Sequence, residues 1–92
     1  MAETQRMDQT SSLSITAPGE YNIVRTGGAK ESTVYIYGTD GGAALELHGP
    51  GGLLEDGVIA ALPYQKVIHH GGIPILLSVT GGAGIDIRVR VG

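Results

Sequence analysis

Pairs of glycines cut this chain into short pieces. Gly-Gly occurs at 27–28, 41–42, 51–52, 71–72 and 81–82, and the intervals between the pairs are rich in Val, Ile, Leu, Thr and Tyr. Glycine costs a helix interior roughly 1 kcal/mol relative to alanine. It enters positive φ without steric penalty, so paired glycines mark tight turns between strands. No window of helical length carries an apolar pattern of period 3.6. The chain is therefore expected to be all-β, with strands joined by glycine-rich turns in the manner of a sandwich or barrel.

Alternation of apolar and polar residues places the strands. Leu13 and Ile15 alternate with serine and threonine, and after a turn at Pro18-Gly19, Tyr21 and Ile23 share one face of a strand over 20–25. A strand over 32–37 follows a loop at 26–31. The sequence Thr39-Asp40-Gly41-Gly42 reads as a tight hairpin that returns through 43–48, with Leu45 and Leu47 facing inward. Residues 49–57 read as a long loop. Strands over 58–62 and 64–69 are separated by Pro63, and another runs over 75–80. At the end of the chain Ile85, Ile87, Val89 and Val91 alternate with Asp86, Arg88 and Arg90. A slip of one residue there would bury three charges, so the register is fixed. These segments amount to about eight short strands, the number in a jelly roll. The expected fold is a single small antiparallel β-sandwich over residues 11–92, preceded by a polar, extended N-terminal arm over residues 1–10.

A chain of 92 residues has room for one domain and a thin core. It has no cysteine, so neither disulfides nor thiolate–metal sites reinforce that core, and oligomerisation is the remaining compensation. Several strands carry apolar residues on both faces: Val34 and Ile36 back onto Tyr35 and Tyr37, Leu76 lies opposite Ile75, Leu77 and Val79, and Val24 and Ile59 are surplus to a single inner layer. One explanation is ordinary exposed side chains. A subunit interface, where tyrosine is enriched, explains them better. Tyr35, Tyr37 and Leu76 are the expected oligomer contacts.

The net charge is −3, basic residues form no run, and the only aromatic residues are four tyrosines. Nucleic-acid binding is not expected from such a surface. The longest apolar stretch, 73–79, contains Pro74 and Ser78 and is far short of the roughly 20 residues that span a bilayer. The polar N-terminus lacks the apolar stretch of a secretion signal, which points to synthesis in the cytoplasm.

Catalytic motifs are thin. Adjacent strand residues such as His69 and His70 face opposite ways and could converge, with or without His48, on a metal only if His70 lies in the turn. Glu55 and Asp56 supply too few oxygens for a calcium loop. Thr26–Ser32 lacks the first glycine and the helix of a phosphate loop, and 81–84 lacks the helix of a dinucleotide fingerprint. No cofactor, no metal and no enzymatic activity are expected.

The order of features is nevertheless familiar. Ala17-Pro18-Gly19-Glu20-Tyr21-Asn22-Ile23 follows the polar arm, Asp40-Gly41-Gly42 precedes a Leu-x-Leu strand, and Gly71-Gly72-Ile73-Pro74-Ile75-Leu76-Leu77-Ser78-Val79-Thr80-Gly81 precedes a final alternating strand. Over roughly residues 13–92 this resembles the small β-sandwich accessory proteins of tailed-bacteriophage virions, namely head decoration or cement proteins and head-fibre or neck proteins. The resemblance implies a structural protein of the virion that forms a homo-oligomer, often a trimer. Such a protein would bind the major capsid protein or another virion protein. Glu3, Arg6, Met7 and Asp8 of the arm are then the expected capsid contacts. The alternative is a glycan-binding or adhesion module of a fibre, spike or neck, with Tyr64 near Asp56 as its sugar platform.

Overall fold

The computed structural model describes residues 3–49 and 51–92, apart from the side chains of Glu3, Glu55 and Asp56. The described residues form nine strands: β1 (Glu3–Met7), β2 (Leu13–Ile15), β3 (Gly19–Arg25), β4 (Glu31–Thr39), β5 (Ala44–Gly49), β6 (Gly52–Ile59), β7 (Tyr64–His69), β8 (Ile75–Thr80) and β9 (Asp86–Val91). They build a five-stranded sheet in the order β1-β3-β8-β5-β6 and a four-stranded sheet in the order β2-β9-β4-β7. One hydrophobic core joins the two: Ile23, Leu47, Ile75 and Leu77 from the first sheet pack with Val34, Ile36, Ile87 and Val89 from the second, all fully buried. Each such side chain contributes about 1.5–3 kcal/mol by leaving water. The chain is a small all-β protein of two sheets, compatible with a β-sandwich.

The period-2 reading holds along most strands. In β9, Ile87, Val89 and Val91 are buried, while Asp86, Arg88 and Arg90 face outward. The connections differ from expectation. The turn at 40–43 is not a hairpin, because β4 belongs to one sheet and β5 to the other, and the turn at 81–84 likewise crosses from β8 in the larger sheet to β9 in the smaller. The Asp40 carboxylate accepts the Gly42 N–H at 2.9 Å and its carbonyl accepts the Ala43 N–H at 3.0 Å, so the turn is tight but crosses between layers. Among the described strands, only β5 and β6 are consecutive and paired. Part of the expected loop at 49–57 belongs to β6, whose pairing with β5 is interrupted by a bulge between Glu46 and His48. Ile59, expected to be surplus to the inner layer, is in the core.

The N-terminal segment departs most from expectation. Residues 3–7 are not an extended arm outside the sandwich. They form β1, which pairs in parallel with β3 from Glu3↔Tyr21 to Met7↔Arg25, so the larger sheet is mixed rather than purely antiparallel. Met7 is 3% exposed and belongs to the core. Backbone pairing offsets the low apolar content of the segment, because each N–H and C=O it satisfies is one that water need not.

Candidate functional site

The outer face of the four-stranded sheet carries the most unusual surface. Alternation in β4 sends Val34 and Ile36 into the core and turns Tyr35 and Tyr37 to solvent, where they remain 42% and 39% exposed. Tyr35 is registered between Gln65 of β7 and Arg90 of β9, and Tyr37 lies opposite Arg88. Cross-strand neighbours of this kind hold their Cβ atoms about 4.5–5.5 Å apart. Two rings and two guanidinium groups thus share one rigid patch, with exposed Val67 one row further along.

The two arginines are not equivalent. Arg88 is 3.3 Å from the Asp86 carboxylate and donates to the Ser14 hydroxyl. Arg90 makes no ion pair or hydrogen bond among the described residues and lines a shallow depression of about 400 Å³ with Gln9, Tyr35, Tyr37, Val91 and Gly92. A second depression, of about 190 Å³, lies across the same two rings and is bounded by Pro63, Tyr64 and Gln65. Tyr35 and Tyr37 therefore form a ridge between two hollows.

The other expected contacts do not join this patch. Leu76 is half-buried on the outer face of the five-stranded sheet, between Asn22 and His48. The residues of the expected arm do not act as a set either. Arg6 is exposed, whereas Met7 is a core residue and therefore not a surface contact. Asp8 is a turn residue whose carboxylate accepts the Thr10 N–H at 2.8 Å and the Thr10 hydroxyl at 2.6 Å. Hydrogen bonding from Thr10 is the main cause that holds the Asp8 carboxyl below the usual range. The side chain of Glu3 lies outside the described residues, as does that of Asp56, which was expected to accompany Tyr64.

The three histidines occupy three different settings. His48 lies on the outer face of the larger sheet, 3.4 Å from Glu46. His69 is exposed, 2.9 Å from Glu31 across the β4–β7 ladder. His70 is 1% exposed and sits in the turn after β7. Its Nε2 lies 2.8 Å from the hydroxyl of Ser32, which is also buried, and its Nδ1 accepts the Gly72 N–H at 3.0 Å. Burial, and after it the charge of Arg25, pushes the pKa of His70 below its ordinary value. Among the described residues no three His, Asp or Glu side chains are grouped to hold a metal ion. His70 does lie in the turn, yet its partner is Ser32, 38 positions away, a pairing that nothing in the sequence signals.

No known protein family, curated protein or solved structure matches the chain.

Proposed function

We propose that the chain is a non-enzymatic structural protein of a tailed-bacteriophage virion, a decoration or cement protein that binds the capsid surface and stabilises it. The observation that carries this reading is the ridge of Tyr35 and Tyr37 beside Arg90, a cation with no partner among the described residues. Tyrosine and arginine are the residue types that most often dominate protein–protein binding energy. A flat sheet presents them at little cost in conformational entropy, and the free guanidinium favours a partner surface that offers carboxylates.

The framework supports the same reading. The order β2-β9-β4-β7 against β3-β8-β5-β6 is, in our reading, that of a jelly roll, with β1 added at one edge. Viral capsid and lectin domains use that architecture. We take the chain to act as a homo-oligomer, a trimer by its resemblance, located in the virion and seated on the major capsid protein or another virion protein. Binding only the assembled lattice stabilises the lattice by mass action, by about 2.7 kcal/mol per site at a hundredfold excess over Kd.

The test is cosedimentation with capsids assembled from the accompanying major capsid protein, alongside light scattering of the free protein. Saturable binding that the Tyr35→Ser, Tyr37→Ser double variant loses is the expected result. Absence of saturable binding at tens of micromolar would overturn the proposal.

One observation favours a second reading, a glycan-binding module of a fibre, spike or neck. The hollows on either side of the ridge combine three tyrosine rings with Gln9, Gln65 and Arg90, the mixture of apolar wall and few polar groups that small-ligand sites use. Binding of soluble oligosaccharides without capsid binding would select it.

A further inference from the structure

One end of the core is closed by polar groups rather than hydrocarbon. Ser32 in β4 and the ring of His70 in the β7–β8 turn, both buried, lie 2.8 Å apart there, and the charge of Arg25 at the end of β3 acts on that ring. The hydrogen bonds determine the state of the ring. The Gly72 N–H donates to Nδ1, so Nδ1 carries a lone pair, and the proton of the neutral imidazole resides on Nε2, which donates to Ser32. In that state both nitrogens and the turn amide are satisfied.

A second proton has no acceptable place. It would occupy Nδ1 and face the Gly72 N–H donor against donor, leaving that amide without its acceptor. It would also add a positive charge that Arg25 repels, on a residue only 1% exposed. No opposing charge is at hand among the described residues. Glu31 and His69, the titratable neighbours on β4 and β7, pair with each other on the exterior. Asp8 is engaged with Thr10 and Ser11. Lys30 contributes its backbone carbonyl, which accepts the Gly71 N–H at 2.9 Å.

We propose that His70 is an acid-operated latch: as the neutral ring it ties the turn at 70–74 to β4, and as the imidazolium it releases that turn. Release is mechanically easy, because the turn carries two glycines and is held mainly by the contacts of Gly71 and Gly72 and the short Ile73 N–H to His70 C=O bond of 3.0 Å. Opening moves exposed Ile73 and uncovers the polar end of the core. A chain with this device keeps that end closed at neutral pH and opens it in an acidified compartment or medium.

The experiment is NMR of the intact protein from pH 8 to pH 4.5, reading the His70 ring titration and hydrogen exchange of the Gly71–Ile73 amides, corrected for intrinsic rates. The expected result is a ring midpoint below 6.5. The fall in Gly72 protection should track that midpoint, about tenfold for each unit of displacement, while the amides of the 81–84 turn stay unchanged. His70→Asn keeps an acceptor near the Nδ1 position but cannot titrate, and it should abolish the acid response. A midpoint at or above 6.5, Gly72 protection independent of pH, or the same acid response in His70→Asn would each overturn the proposal. The wild-type measurements decide the matter even if the variant folds poorly.

Discussion

Gly38 and Asp86 meet backbone to backbone: a Cβ added at Gly38 would lie 2.2 Å from the Asp86 carbonyl oxygen. Gly38 also has a φ of +113°, outside the range that side chains favour. The contact lies in the β4–β9 ladder, next to Tyr37 and Arg88, so neither strand yields without disturbing the other. Gly38→Ala should therefore cost about 3 kcal/mol, combining strain at positive φ with a forced backbone shift. Gly28→Ala, where φ is also positive but nothing lies within 4 Å, should cost only about 1 kcal/mol. Urea denaturation of both variants checks the difference, and equal costs would mean that the ladder relaxes around the added methyl.

Met7 gives the clearest test of β1. A tether would tolerate any change there, but a buried side chain would not. Met7→Ala should destabilise the fold by about 2–5 kcal/mol, and removal of residues 1–7 should cost still more by baring the edge of β3. Unchanged melting of the truncated protein would show that β1 contributes nothing to the fold.

Tyr35 and Tyr37 should behave in the opposite way. Their rings face solvent, so Tyr35→Ser, Tyr37→Ser and Arg90→Gln should each change stability by no more than about 0.5 kcal/mol if packing alone is counted. Their effect should fall on partner binding, with the Arg90 change also reducing its salt dependence. Denaturant titration beside the binding assay separates the two, and a large loss of stability would recast the ridge as a structural element.

The same residues show what can be read in advance. The outward ridge was legible because Val34 and Ile36 fix the inner face of β4, leaving Tyr35 and Tyr37 no other side. β9 was legible for the same reason. β1 was not, because its polar sequence buries one apolar side chain at a sheet edge and is held by backbone pairing that composition does not encode. The layer crossings were missed because Asp40-Gly41-Gly42 makes an equally good turn within a sheet or between sheets. The pairing of Ser32 with His70 leaves no local trace, since only the fold brings a strand serine to a turn histidine.

Zinc should leave the protein indifferent. His48, His69 and His70 face different surroundings, and His70 already uses both nitrogens. Neither zinc nor a chelator should move the melting temperature by more than about 5 °C, the equivalent of roughly 1 kcal/mol in a domain of this size. A larger fall with chelator would reveal a site that these geometries do not form.

Acid should weaken the fold in two separate windows. His70 has a folded pKa below its ordinary 6.5, so the native state binds fewer protons than the unfolded chain. Its contribution is complete above pH 6.5 and is lost as pH falls below that value through the folded pKa. Asp8 has a folded pKa below its ordinary 3.8 because Thr10 donates to the carboxylate. Its contribution is present above pH 3.8 and disappears only below it. Melting temperature followed downward from pH 8 should therefore decline first below about 6.5 and again below about 3.8. His70→Asn should flatten the first decline and leave the second, and Asp8→Asn should lessen the second and leave the first. If His70→Asn melts with the wild-type slope between pH 6.5 and pH 4, the upper decline belongs to another group and burial of the neutral ring does not set the acid limit of the fold.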